Sequence, residues 1–375
     1  MLEGWAQGGT EAYVSSLAHW LRRNAPVELG LCLLNPGKFQ KGAKLPGWAS
    51  QTWRFGEDRG QGWASLRRAI RSFRPDVVHT HLYSSLLPAA LVARSAGSAR
   101  VVTTLHMPLY PWHWRYRLAW RAAIRASHAI VGVSHDVLAS IGAREDRDRF
   151  WVVPSPLAAD LRSATVMSPR TGADRAFTVC GVGRLSREKD WPTLIEAFAA
   201  FRARAGGASR LVIYGEGQER PALHALVRRL GIGSAVDLPG ALNRIELPGR
   251  LAEADVFVLP SRFEGFGIAA IEAMALGIPT IAADYGASLD YIEHGVTGHR
   301  FPVGNVQVLA EVLAWHRRER EASRIMGERG REFVRKAFSE ENTLAQYPSI
   351  YGVRHRLPVL LEGVRQSGQI DEAGS

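Results

Sequence analysis

Cysteine is scarce: the chain has two, Cys32 and Cys180, in 375 residues. Both sit in apolar runs that read as strands. Buried free thiols are the simple expectation, and a disulfide framework or a cysteine-based zinc site is excluded. Long hydrophobic runs are missing too. No apolar stretch approaches the ~18 residues that a bilayer-spanning helix needs. The opening residues lack a basic region followed by an apolar core and a small-residue cleavage site, so a cytoplasmic protein is expected. Acid is in deficit, with 36 Asp and Glu against 47 Lys and Arg, for a formal charge of +11. That balance favours anionic partners such as nucleotides, phosphorylated substrates or an acidic membrane surface. No nucleic-acid-binding pattern accompanies the charge, so nucleic acid is not an expected partner.

What the chain does have is alternation. Short apolar, β-branched runs at residues 28–34, 76–79, 100–104, 129–133 and 151–153 read as strands. The series resumes at 177–182, 210–214, 235–238, 255–259 and 279–282, and helical patterns such as 11–23, 191–205 and 219–230 lie between. Strands alternating with helices predict an α/β fold of parallel sheets wound on both faces. The length favours two such domains with a cleft between them. The polar stretch 162–175 is the linker expected to join them. Ligands in such folds bind beyond the carboxyl ends of the strands.

One stretch stands out: SRFEGFGIAAIEAMALGIPTIAAD, residues 261–284. A buried strand precedes it, and Gly265 and Gly267 flank Phe266 in a turn where bare backbone can approach a ligand. A helix from Ile268 to Leu276 follows, stopped by Gly277 before Pro279. Its first N–H groups form an anion site. Two carboxylates, Glu264 in the turn and Glu272 within the helix, are unfavourable beside an anion unless they bind something else. Neutral sugar hydroxyls donate well to carboxylates, so a sugar nucleotide satisfies the whole set. The plainer alternative is an acidic residue near a helix dipole and a solvated Glu272.

VCGVGRLSREKDWPTLIEAF, residues 179–198, places Arg184 and Lys189 where a strand exits towards another helix, an arrangement suited to a diphosphate. Surface charge is the alternative. Gly181-Val182-Gly183 lacks the third glycine of a dinucleotide fingerprint. Gly8 and Gly9 directly precede a helix with Glu11 in its first turn, which admits a phosphate or is simply a turn. His106 ends a strand before Pro108 and should face the cleft. His79 and His81, two apart, lack a third metal ligand and read as polar groups at the cleft edge. Asp146-Arg147-Asp148 has the aspartate spacing of some metal-dependent sugar-transfer enzymes, but its setting in REDRDR reads as a solvated loop. Residues 108–128 interleave Trp112, Trp114, Tyr116 and Trp120 with Arg115, Arg117, Arg121 and Arg125. This fits a membrane-surface contact and also a surface helix with aromatic core anchors and snorkelling arginines.

Together these residues resemble the retaining glycosyltransferases of family 4, whose GT-B architecture is two Rossmann-like domains facing a cleft. The match runs over about residues 4–352. Its specific marks are the carboxylate pair with EGFG and EAMALGIPTIA, and GRLSREKD, which has Asp190 where the family usually has Gly. GGTE, PDVVHTH, TLHMP, YGEGQER and GVTGHRFPVGN fit in their places. VVPSPLAAD stands where the family has a Pro-Asn-Gly turn.

The resemblance implies a nucleotide-binding second domain at 163–342 after a first domain at 1–162, with a helix in 343–375 returning to the first domain. It implies that Arg184 and Lys189 hold the donor diphosphate, aided by backbone at Gly8, Gly9, Gly265, Phe266 and Gly267. Glu272 would hold the ribose and Glu264 the donor sugar, with His106 on the sugar and its developing positive charge. The base would lie near 215–217 and the loop after Gly240. No protein nucleophile, cofactor or metal is implied; the nucleotide sugar is a substrate, and the acceptor is a glycan or lipid-linked sugar. A phosphorylase, a sugar-phosphate synthase and an inactive binding paralogue are the rival readings. The first strand of such a fold is nearly absent, with Met1-Leu2-Glu3 as its stub. An upstream start supplying apolar, β-branched residues is therefore expected.

Overall fold

The computed structural model describes residues 9–33, 45–54, 61–81, 83–97, 99–109, 114–146, 148–158, 161, 176–205, 208–243 and 245–352. Every strand pairing is parallel. In the first half the order is α1 (Gly9–Asn24), β1 (Gly30–Leu33), β2 (Gln51–Arg54), α2 (Gln61–Phe73), β3 (Val77–His81), α3 (Tyr83–Ala96), β4 (Arg100–Leu105), α4 (Trp114–Ala126), β5 (Ala129–Gly132), α5 (His135–Ser140) and β6 (Phe150–Val152). These strands form one sheet ordered β3-β4-β5-β6 and a separate pair, β1-β2.

The second half runs β7 (Phe177–Val182), α6 (Trp191–Ala205), β8 (Ser209–Tyr214), α7 (Arg220–Arg229), β9 (Val236–Gly240), α8 (Leu247–Leu251), β10 (Val256–Leu259), α9 (Ile268–Ala275), β11 (Thr280–Ala283) and β12 (His299–Phe301). Its sheet is ordered β12-β11-β10-β7-β8-β9. The order reverses between β7 and β10, which makes the space beyond their carboxyl ends the crevice where such sheets bind ligands. Both strands are fed by apolar sequence. All four residues of β10, Val-Phe-Val-Leu, are buried, as are all four of β11. Sheets covered on both faces demand such runs rather than alternation.

The chain ends by returning to its first half through α10 (Val306–Arg318), α11 (Arg320–Ala337), α12 (Glu340–Leu344) and α13 (Tyr347–Tyr351). Tyr347 Oη lies 2.6 Å from Tyr13 Oη of α1. Arg100 Nε donates to the Ile350 carbonyl at 2.8 Å, and Arg23 pairs with Glu340. Across the other side, the His135 amide donates to Asp290 Oδ2 at 2.9 Å, joining α5 to the second half.

The strand pattern differs from the sequence expectation in three places. β3 continues to His81, which brings the rings of His79 and His81 onto one face, 4.1 Å apart. β2 and β12 were not anticipated. β2 carries one large apolar residue, Trp53, and β12 is only three residues long with two of them polar. Such short strands are defined by their neighbours, not by their own pattern. The expected linker, 162–175, lies outside the described residues, as does Gly8.

Candidate functional site: the crevice beyond β7 and β10

The loop after β7 is held rigidly. Trp191, fully buried at the start of α6, donates its indole N–H to the Arg184 carbonyl at 2.7 Å. Its ring lies where a Cβ at Gly181 would sit, 2.6 Å from Cζ3. Truncating such a buried Trp costs about 3–5 kcal/mol. Residues 187–189 form a 3-10 turn that ends at Asp190 in the left-handed region, φ 51°. That backbone explains why glycine is expected at this position. Aspartate is among the residues that tolerate it, and its carboxylate accepts from Thr193 Oγ1 at 2.9 Å, bracing the first turn of α6. Arg262 pairs with Asp190 at 3.2 Å and donates its amide to the Glu188 carbonyl at 2.8 Å, tying the loop after β10 to the loop after β7.

Lys189 is brought directly to Glu264. Its ammonium donates to Oε1, which also accepts from Ser261 Oγ at 2.8 Å. Both charged groups are largely buried, with side-chain exposures of 15% and 11%. A buried pair of this kind holds its geometry because loss of either partner strands a charge. Arg184 differs: its side chain is 75% exposed and pairs with Glu188 at 3.1 Å. Alternative surface roles are therefore excluded for Lys189 but not for Arg184.

The turn 265–267 allows only glycine at its ends. A Cβ at Gly265 would lie 1.8 Å from the His106 carbonyl oxygen, so the backbones of the two halves touch here. Gly267 has φ 94° and caps α9 without a side chain. A Cβ there would meet Tyr285 Oη at 2.4 Å and Tyr291 Oη at 2.7 Å. Phe266 is buried against Phe338, ring centroids 5.0 Å apart. The N–H groups of Ile268 and Ala269 precede the first bond of α9, which Ala270 donates to the Gly267 carbonyl at 2.9 Å, and no acidic residue occupies the first turn. Glu272 is buried, not solvated. It lines a small cavity of about 30 Å³ with Ala12 and Ser16 of α1 and residues 155–158. Gly9 abuts Ile268, whose Cδ1 would be 2.7 Å from a Cβ at 9.

The opposite wall is uncharged. His106 Nε2 lies 3.0 Å from His81 Nδ1, and its ring meets Tyr13 edge-on at 5.2 Å. Burial lowers the His106 imidazole to about 3 and holds His79 and His81 well below their ordinary value. His79 in turn contacts Tyr351 Oη at 2.9 Å and Thr104 Oγ1 at 2.7 Å. The histidines are thus a neutral relay of hydrogen bonds at the ends of β3 and β4. Among the described residues no group of three or more His, Cys, Asp or Glu could hold a metal ion. Asp146 Oδ1 instead accepts from the amides of Asp148, Arg149 and Phe150, closing its own loop.

Beyond β8, a Cβ at Gly215 would lie 1.8 Å from the Gly183 carbonyl oxygen, and one at Gly217 2.2 Å from that of Leu185. This wall of the crevice is therefore bare backbone. Sequence reasoning missed Ser261, Tyr13, Trp191 and the joining of His81 to His106. Ser261 lies three residues before Glu264 and Tyr13 one turn into α1, spacings that in retrospect mark both.

Comparison with known proteins matches residues 168–333 to the glycosyl transferases group 1 family and residues 7–160 to glycosyltransferase family 4. The chain belongs to the family 4 glycosyltransferases. It is 29% identical over 289 residues to the GDP-mannose-dependent alpha-(1-6)-phosphatidylinositol monomannoside mannosyltransferase of Mycobacterium tuberculosis, covering 68% of this chain and 71% of the relative. The N-acetyl-alpha-D-glucosaminyl L-malate synthase of Bacillus anthracis is 26% identical over 287 residues, covering 74% of each. Among solved structures, Anabaena HepE in complex with UDP superposes with a TM-score of 0.78 at 20% identity, covering 94% of this chain and 98% of that one. Sucrose-phosphate synthase from Thermosynechococcus elongatus gives 0.74 at 21%, covering 94% of each chain. These neighbours establish the GT-B fold, and this glycosyltransferase shares it.

Proposed function

We propose that this glycosyltransferase takes a sugar from a nucleotide-sugar donor and adds it, with retention, to a glycan or lipid-linked acceptor in bacterial surface polysaccharide or glycolipid synthesis. The observation that carries the reading is the Lys189–Glu264 pair, buried at the crevice where α9 opens and where the two halves touch. An ammonium and free helix amides receive the diphosphate, with Arg184 at the solvent edge. Glu264 and Glu272 receive sugar and ribose hydroxyls. Charge on the departing diphosphate is met by these groups, without a metal or cofactor in the reading.

In the reaction the anomeric carbon–oxygen bond to the diphosphate breaks, and the acceptor oxygen bonds to that carbon on the same face. The acceptor proton passes to the departing phosphate oxygen. Glu264, already engaged by Lys189 and Ser261, is a poor nucleophile, which supports a step without a covalent enzyme intermediate. Neutral His106 offers a hydrogen bond beside the developing positive charge without opposing it. The test is a thermal-shift screen of nucleoside diphosphates and their sugars, followed by mass spectrometry of products. Stabilisation by a nucleoside diphosphate, then a product one sugar heavier, is expected. Binding without transfer or donor hydrolysis would make the chain an inactive paralogue; phosphorolysis would make it a phosphorylase.

Location on the inner face of the plasma membrane is a second reading. It rests on α4, where Leu118 is 54% exposed and Arg121 and Arg125 are exposed on the same helix. Trp120 is buried and belongs to the core; Trp112 lies outside the described residues. No helix among those described is long and apolar enough to cross a membrane. Pelleting with anionic vesicles, released by high salt, tests this contact.

A further inference from the structure

His81 closes β3 as a buried histidine, 3% exposed, to which the proposed reaction gives no part. Its Nδ1 lies 3.0 Å from Nε2 of His106, which follows the neighbouring strand β4. Both rings are held in place. The His106 carbonyl abuts Gly265, and its ring meets Tyr13 edge-on at 5.2 Å. His81 lies between His106 and His79, with ring centroids 5.3 and 4.1 Å away. His79 is bonded through both nitrogens, to Tyr351 Oη and Thr104 Oγ1, so α13 fixes the far end of the stack.

Burial keeps His81 and His106 neutral. A neutral imidazole carries one proton, and the bond made by one nitrogen decides what the other presents. With Nδ1 of His81 against Nε2 of His106, one proton must lie between them. If His106 donates it, both rings are protonated on Nε2. If His81 donates it, both are protonated on Nδ1. The two tautomers are therefore locked together. Among the described residues nothing bonds Nδ1 of His106, which leaves that nitrogen for a substrate in the crevice.

We propose that His81 is a positioning residue for sugar transfer: its Nδ1 accepts from Nε2–H of His106 and so keeps Nδ1 of His106 unprotonated towards the donor sugar. The inference rests on the donor reading above. Positive charge develops at the anomeric carbon as the diphosphate leaves. An unprotonated ring nitrogen accepts from a sugar hydroxyl and turns the negative end of the imidazole dipole towards that charge. The other tautomer would present an N–H there, with the opposite sign. Because the rings are coupled, the choice is made at His81 and not at the sugar. Rotation of either ring, which would exchange its nitrogens, is opposed by Tyr13 against His106 and by His79 against His81.

The test uses the full chain, isotopically labelled at its histidine ring nitrogens. Long-range proton–nitrogen spectra of the free protein report the tautomer of each ring, with His81→Asn, His81→Leu and His106→Asn giving the assignments. In the parent both rings should carry their proton on Nε2. His81→Asn sets an amide oxygen where Nδ1 stood; His106 should keep its tautomer and kcat should stay within about threefold of the parent. His81→Leu removes the acceptor, so His106 should show both tautomers and kcat should fall by roughly ten- to a hundredfold. Nucleoside diphosphate affinity should stay within about twofold in both variants, because the loss belongs to the sugar end. His106 protonated on Nδ1 in the parent, opposite tautomers in the two rings, or an Asn variant no better than the Leu variant would overturn the proposal. Should the Leu variant fail to fold, the parent spectrum and the Asn variant decide alone, and a shift of His106 to Nδ1–H in either overturns it. A parent chain that neither binds nor transfers from a nucleotide sugar would overturn the donor reading and the role in transfer with it, whereas the spectra of the free protein judge the coupling of the rings separately.

Discussion

The two walls of the crevice solve different electrostatic problems. The wall built after β7 and β10 holds formal charge, with Lys189 and Glu264 buried side by side and Arg184 at the rim. The wall built after β3 and β4 holds His79, His81 and His106, all kept neutral by burial. The difference suits a substrate that is anionic at one end and uncharged at the other. A cation opposite the sugar would oppose positive charge developing there, whereas a neutral imidazole donates or accepts without that cost. The division also explains why the charged wall needs so much bracing. Charges out of water hold position only when every partner is fixed.

The largest effect should come from separating the proposed sugar role from the proposed phosphate role on the charged wall. Glu264→Gln keeps shape but removes the negative charge, and turnover should fall by about a hundred- to a thousandfold. Nucleoside diphosphate binding should not weaken, because Lys189 loses a competing carboxylate. Isothermal titration beside a product assay decides it; equal losses in both would make Glu264 a general nucleotide contact.

Next comes the contrast between the two cations. Lys189→Ala should weaken diphosphate binding by roughly ten- to a hundredfold, the range for a buried charge-assisted contact. Arg184→Ala, at an exposed site, should lose less, and its loss should shrink as salt rises. Unchanged affinity in both variants would remove the diphosphate from this wall.

Acid should undo the neutral wall. His106 titrates at about 3 in the folded protein and at ~6.5 unfolded. Its folded value is lowered, so the stability it contributes is complete above pH 6.5 and is lost as pH falls towards 3. Between pH 6.5 and 5 that loss is about 2 kcal/mol. Urea unfolding at pH 7.5, 6 and 5 should show the decline, and His106→Asn should reduce it, leaving the share due to His79 and His81, which burial lowers in the same direction.

The smallest effect lies at the junction of the halves. His135 is raised above its ordinary value, chiefly by its hydrogen bond to Asp290. Its contribution is therefore complete below about 6.5 and is lost as pH rises through the raised folded value. With the imidazole two-thirds exposed, it stays under about 1 kcal/mol. The Tm difference between the parent and His135→Ala should be measurable at pH 5.5 and vanish at pH 9.

Much of this was legible beforehand, for a physical reason. Strands such as 177–182 and 255–259 are buried on both faces, so their composition alone declares them. Gly265, Gly267 and the paired glutamates were legible because few backbones tolerate that spacing. The pairing of Lys189 with Glu264, 75 residues apart, was not, since only the reversal of sheet order places their loops together. Nor was the His81–His106 contact, which needed β3 to run two residues further than its apolar pattern. Asp190 looked like a departure from the family's glycine; its left-handed backbone shows that the position kept its shape and gained a bond to Thr193.

The return of α13 to α1 has a consequence for how the protein is made. Tyr13 and Tyr347 bond to each other across 334 positions of sequence. At translation rates of roughly 5–20 residues per second, Tyr13 waits about 15 to 70 seconds for its partner to be synthesised. Throughout that interval the strand pairs of the first half, about 20 to 27 positions apart, can close, but α1 still lacks the buttress that α13 supplies. The early helix α1 is therefore among the last elements to receive all its partners. Until then the buried face of α1, with Tyr13, Leu17 and Leu21, needs other cover during synthesis.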